Sequence, residues 1–360
     1  MKILLSVLIL LMAFSVNAQN NFLTPDSSTQ IIVNGIGGVA SSSIPQNFMN
    51  KFIFPGFIDD NLKKEASDKI KNKNYFGGNA IGDINILFSA LNDTSKTSKL
   101  FGFGFGTRTE VDLRFTRDLF DLIFYGNQPF AGTTLNLNNT NFNALSYSFL
   151  EFSFGTSKIT SNTCTSLWGD IGLVLGHGFT DLNLKNASIF TEQNGDYLAL
   201  SASESSISMS ENLTTSSPKG LGAKFDIHYS QQTESSNLLI SVENIGGILW
   251  KNATSADIDT TFHFEGIEIE NIFQLSDSVW NQFSSIDSLI TSKKEDIFKI
   301  IPVDFTVYYK KKLNLIYFDL LYHQYWSFSN IITTYWIKVF SILKERRCFI
   351  KSKVIISIRC

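Results

Sequence analysis

The segment from Phe101 to Phe115, FGFGFGTRTEVDLRF, alternates without a break. One face carries Phe101, Phe103, Phe105, Thr107, Thr109, Val111, Leu113 and Phe115. The other carries Gly102, Gly104, Gly106, Arg108, Glu110, Asp112 and Arg114. A helix would mix the two sets, so the segment has to be a strand. It is longer than the roughly 9 to 11 residues that a tilted strand needs to cross a bilayer. GFGFG is not read as a phosphate-binding loop, because a strand continues where such a loop requires a helix start.

The same period recurs along the chain. In Gly220–Ser230, Leu221, Ala223, Phe225, Ile227 and Tyr229 oppose Gly222, Lys224, Asp226 and His228. Leu238, Ile240 and Val242 alternate with Leu239, Ser241 and Glu243 before a break at Asn244-Ile245-Gly246-Gly247. Ile171, Leu173 and Leu175 oppose Asp170, Gly172, Val174 and Gly176, and Val303, Phe305, Val307 and Tyr309 oppose Asp304, Thr306 and Tyr308. Weaker strands are expected over Ile31–Ala40, Ile84–Leu91, Tyr147–Phe154 and Tyr197–Ser203. The Ser- and Asn-rich stretches Ser201–Ser217 and Asn136–Asn143 read as surface loops. Asp59–Lys73 and Trp280–Ile301 have helical spacing and read as short connectors on a rim.

The first residues narrow the compartment. Met1-Lys2 is a short positive region, Ile3–Val16 is apolar, and Val16-Asn17-Ala18 suits cleavage after Ala18. This is the pattern of a secretory signal over residues 1–18, too short for a stable anchor, with no following cysteine to carry a lipid. Beyond residue 20 no run of about 20 apolar residues occurs, so any crossing of a membrane must use strands. Only 18% of residues are charged, below the usual quarter of a soluble domain, and Phe reaches 32. The net charge of −3 argues against nucleic acid as a partner. Three cysteines in 360 residues exclude a disulfide scaffold. The fold class is therefore all-β, a transmembrane antiparallel β-barrel with a few short helices. A soluble β-sandwich would show similar alternation. The signal segment, the aromatic load and the strand lengths favour the barrel.

No chemistry stands out. His177, His228, His263 and His323 have no second ligand at i+3 or i+4, so no metal site and no cofactor are expected. No G-x-S-x-G elbow occurs, and the chain is not read as an enzyme. The most pointed feature is the row Arg108, Glu110, Asp112, Arg114, joined by Lys224 and Asp226, all expected to face the barrel lumen. It reads either as a polar ladder filling the interior or as a constriction that orients a solute. The three alternate glycines beside it predict an inward-lying segment, for example around Ile31–Ala40, passing over them.

FGFGFGTRTEVDL, GLGAKFDIHY and SVENIGGILW resemble an uncharacterised family of Bacteroidota outer-membrane β-barrels, related to FadL-type transporters and PorV-like proteins. Its G-x-G-x-x-x-D and S-V-x-N-x-G pattern is met by Gly220, Gly222, Asp226, Ser241, Val242, Asn244 and Gly246. The resemblance runs over roughly residues 1–312 and implies an outer-membrane domain, residues 19–312, of about 14 strands in the intact family. It implies outer-membrane lipid as surroundings and passage or binding of a small hydrophobic or amphipathic solute. The alternative it implies is a PorV-like barrel that anchors or shuttles secreted proteins without transporting a solute. The FadL-type N-terminal plug motif is not present in recognisable form.

Residues 313–360 depart from this pattern. They hold seven Lys/Arg against Asp319 and Glu345, a balance of +5, so with −3 for the whole chain residues 1–312 carry −8. All 23 glycines precede them, and they include Cys348 and Cys360. A frameshift or truncation would account for these features together, and irregular structure is expected after about residue 314.

Overall fold

The computed structural model describes residues 29–341 apart from 55, 93–95, 211–217, 266–291, 314–315 and 326–332. The expected signal segment lies outside the described residues. Among the described residues, fourteen strand segments make one antiparallel sheet. They are β1 (Thr29–Ser41), β2 (Asn74–Asn92), β3 (Thr97–Phe115), β4 (Thr134–Asn136), β5 (Thr140–Ile159), β6 (Thr163–Leu184) and β7 (Asn186–Thr191). There follow β8 (Tyr197–Met209), β9 (Gly220–Thr233), β10 (Ser236–Glu265), β11 (Ser292–Ile300), β12 (Asp304–Leu313), β13 (Ile316–Tyr325) and β14 (Thr333–Ser341).

The pairing reduces these segments to fewer lines. β8 and β9 lie end to end between β6 and β10, because β6 and β10 each pair with both. β11 and β12 likewise share the edge of β10. β4 extends β5 as β7 extends β6. The result is an up-and-down meander of ten lines, each paired with the next in chain order. The β8–β9 break is held by the Ser210 N–H donating to the Phe179 carbonyl and by the Ser210 hydroxyl accepting from the Phe179 N–H, both at 3.0 Å. Among the described residues β1 and β14 are not paired with each other.

The period-two reading of Phe101–Phe115 corresponds to the two faces of β3. Phe101, Phe103 and Phe105 are exposed, while Gly104, Gly106, Arg108 and Glu110 are buried. The exposed face is apolar across the sheet. In a single register row, Ile31, Ile86, Phe103, Phe152, Ile171, Phe225 and Ile245 stand side by side on seven consecutive lines. Phe152 in the middle of that row is 69% exposed. Val33, Ile84, Phe105, Leu150 and Leu173 form the row beside it, all exposed. A monomeric soluble protein rarely leaves so continuous an apolar surface uncovered.

The other face is folded in on itself. Arg108 of β3 and Asp304 of β12 lie five lines apart, about 24 Å along a flat sheet at roughly 4.8 Å per line. Their side chains nevertheless meet at 2.6 Å. The sheet therefore curls strongly over its buried face between these lines. The apolar part of the enclosed space is filled by Tyr147, Phe149, Val174, Phe179, Ile248, Trp250 and Ile301, all buried.

Three helices cover one end of the sheet: α1 (Gln46–Ile53), α2 (Asp60–Lys69) and α3 (Arg117–Tyr125). Asp59 caps α2 by accepting from the Leu62 N–H, and Thr116 caps α3 by accepting from the Leu119 N–H. Gly126, with φ 74°, ends α3. Phe48, Met49, Ala66, Ile70 and Phe120 bury together against Phe115 at the end of β3. Burial pushes the Asp121 carboxyl of α3 above its ordinary value, while Ser67 and Arg117 pull it back.

Several expectations need correction. Of the expected loops, Glu204–Met209 and Thr140–Asn143 are strand, because they lie on β8 and β5, each paired with its neighbours, and residues 211–217 lie outside the described residues; Tyr197–Ser203 is strand as expected. Of Trp280–Ile301, the part Ser292–Ile300 is β11, its residues exposed and half-buried in alternation, and residues 280–291 lie outside the described residues. Ile31–Ala40 does not lie over the glycines; it is in β1, hydrogen-bonded to β2. The space beside Gly102, Gly104 and Gly106 is taken by neighbouring-strand side chains, chiefly Leu87, Asn85, Glu151 and Phe149. Residues after 314 are not irregular throughout: β13 pairs with β12, and β14 pairs with β13.

Candidate functional site

The buried face of the curled sheet carries a chain of charged groups from five lines. Arg108 pairs with Glu110, two residues along the same strand face, and its Nη1 donates to Asp304 Oδ2 at 2.6 Å. Asn244 Nδ2 donates to the same Asp304 oxygen at 3.2 Å, and the Asn244 N–H donates to Asp226 Oδ1 at 2.6 Å. Lys224 Nζ then joins Asp226 and reaches Glu151 Oε2 at 2.7 Å. It also stands 4.4 Å from the centre of the Phe149 ring. Arg108, Glu110, Glu151, Lys224, Asp226 and Asp304 are all buried.

A backbone irregularity makes the central link. Phe225 pairs with Ile245 and Ile227 with Val242, so Glu243 and Asn244 together face the single residue Asp226. This one-residue bulge turns both side chains toward the buried face. Asn244 adopts φ 65°, a left-handed conformation that asparagine tolerates better than most residues. The family-like motif thereby acquires a physical meaning. A Cβ at Gly246 or Gly222 would collide with the backbone of the facing strand, and one at Gly220 would press on Ile248 and Trp250. Ser241 donates to Glu243 at 2.8 Å, and Val242 sits at the register step of the bulge. The glycines thus let β9 and β10 approach closely where the bulge needs them to.

A second group adjoins Asp226. Asp170 of β6 faces Asp226 directly in register, and His228 lies two residues along the same face of β9. His228 Nε2 lies 2.8 Å from Asp170 Oδ2, and its Nδ1 lies 3.8 Å from Glu243 Oε1. The Trp168 indole stacks on the imidazole, with centroids 4.8 Å apart and 10° between planes. One ligand atom each from Asp170, Asp226 and His228 falls within 4.8 Å of the others.

The structure thus brings together four of the six residues expected to face a lumen: Arg108, Glu110, Lys224 and Asp226. Asp112 and Arg114 stand apart. Both are half-buried, and Arg114 Nε donates to the Asn139 carbonyl at 2.7 Å near the helix-covered end. Sequence reasoning missed Glu151, Asp170, His228, Glu243 and Asp304. Searching for metal ligands at i+3 and i+4 applied a helical spacing to strands. At the strand spacing of i+2, Asp226 and His228 share a face, which is how these two side chains come to lie beside Asp170.

No curated protein and no solved structure matches the chain. One family model does, over residues 6–347, and so extends past Lys312, where the sequence resemblance was expected to end. That match takes in most of the chain, which therefore belongs to the family described as a family of unknown function (DUF5723).

Proposed function

We propose that the protein is an outer-membrane β-barrel that works as a membrane-held anchor or binding platform rather than as an open pore. The apolar rows on the exposed face of consecutive lines support insertion in lipid, since a bilayer covers such a surface at no cost. The sheet curls until β3 and β12 touch, as barrel closure requires of strands so far apart.

The observation that carries the choice between the two expected activities is the filled interior. Tyr147, Ile248, Trp250 and Ile301 are fully buried there, and Arg108 is 3% exposed. A row of bulky side chains locked by ion pairs opposes free diffusion. This favours the PorV-like reading, in which secreted proteins are held at the membrane. Passage of a small amphipathic solute is the second reading, favoured by Glu243, whose side chain keeps 37% exposure beside the charged group.

Solute flux into proteoliposomes containing the mature chain tests the choice. The expected rates for small sugars and amino acids equal those of protein-free vesicles. Swelling that scales with the protein content would contradict the anchor reading and support the conduit.

A further inference from the structure

We propose that Asp170, Asp226 and His228 form a first-row divalent-cation site on the buried face of β6 and β9, with zinc as its best-suited ion. The inference goes beyond the anchor reading and stands or falls apart from it. Two carboxylates and one imidazole converge from adjacent strands, with ligand atoms all within 4.8 Å of one another. An imidazole with carboxylates selects this class over calcium or magnesium, which take oxygen donors. Three protein ligands leave a fourth position open in a tetrahedral site.

Three further features belong to such a site. A metal-bound imidazole is normally oriented by a carboxylate behind its other nitrogen. Glu243 Oε1 lies on that side of the ring, 3.8 Å from His228 Nδ1, beyond hydrogen-bond length. The Trp168 stack fixes the ring plane so that Nε2 points at Asp170. The remaining oxygen lone pairs of Asp226 are oriented by the Asn244 N–H and by Lys224.

Charge gives an independent reason. Six carboxylates, those of Glu110, Glu151, Asp170, Asp226, Glu243 and Asp304, adjoin one another around this face. Among the described residues, Arg108 and Lys224 oppose them in ion pairs, and His228 lies against Asp170. A divalent cation beside these carboxylates would offset the charge that they carry when ionised. Of these side chains, His228 keeps 14% exposure and Glu243 keeps 37%, whereas Asp170 keeps 8%.

The test titrates zinc into full-length mature protein freed of metal by a chelator and held in detergent. About one equivalent is expected to bind, with affinity falling at least tenfold in Asp170→Asn and His228→Ala, and less in Glu243→Gln. Cobalt titrated into the wild-type chain provides a readout that needs no variant: tetrahedral visible bands should appear and be displaced by zinc. Unchanged zinc affinity in both ligand variants would overturn the proposal, as would cobalt spectra matching those of the hexa-aquo ion.

Discussion

Arg108→Met is expected to destabilise the protein by about 3 to 5 kcal/mol, the usual cost of removing one partner from a buried ion pair. Both side chains of the Arg108–Asp304 contact are almost wholly buried, at 4% and 3% exposure. Methionine fills much of the arginine volume, so the loss is electrostatic rather than a cavity. It leaves Asp304 and Glu110 facing each other across the curled sheet without the cation between them. Unfolding by denaturant in detergent micelles, followed through the buried Trp250, measures the loss. Arg108→Met combined with Asp304→Asn should recover part of it, because the second change removes one uncompensated charge. A single-variant loss below about 1 kcal/mol, the range of a surface pair, would mean that β3 and β12 do not meet in this way.

On the opposite face, Phe152→Arg is expected to cost about 2 to 4 kcal/mol, the penalty for a charge on the lipid side of a membrane strand near the midplane. Phe152 sits in the middle of the apolar row, flanked in register by Phe103 and Ile171. In water the same change would fall within about 0.5 kcal/mol, as surface substitutions away from special features do. Reversible unfolding from lipid vesicles measures the difference. Lys158→Arg, an exposed position on the same strand, is the control that should change nothing. A Phe152→Arg cost indistinguishable from that control would place this face in water.

Much of the fold was legible because strand faces obey a period of two. FGFGFGTRTEVDLRF announced β3 and the residues on each face of it, and GLGAKFDIHYS did the same for β9. The run 204–209 was not legible as strand, since its small polar side chains carry no amphipathic signal; its pairing with β6 and β10 decides its state. The same holds after residue 314, where alternation fades yet β13 and β14 still pair in sequence with β12.

The site was half legible for a related reason. Arg108–Glu110 and Lys224–Asp226 are local i, i+2 pairs, visible within one strand. Their partners Asp304 and Glu151 come from other lines, as does Asp170 beside His228, and no local pattern says how far a sheet will curl. The Asn244 bulge shifts the register by one residue, which reverses the facing of everything beyond it. The sequence marks that position only as Asn-Ile-Gly-Gly.

The central claim is that the apolar rows lie in lipid while the charged chain is enclosed. Collision accessibility of nitroxide labels in proteoliposomes tests it most directly, with labels at residues 103, 152 and 171 and a water-exposed control at Asp196. The labels are placed in a chain whose native cysteines are replaced by serine. The three row positions should show high accessibility to oxygen and low accessibility to a water-soluble nickel chelate, the reverse of position 196. Nickel accessibility at 103, 152 and 171 equal to that at 196 would contradict the membrane placement and with it the function proposed above.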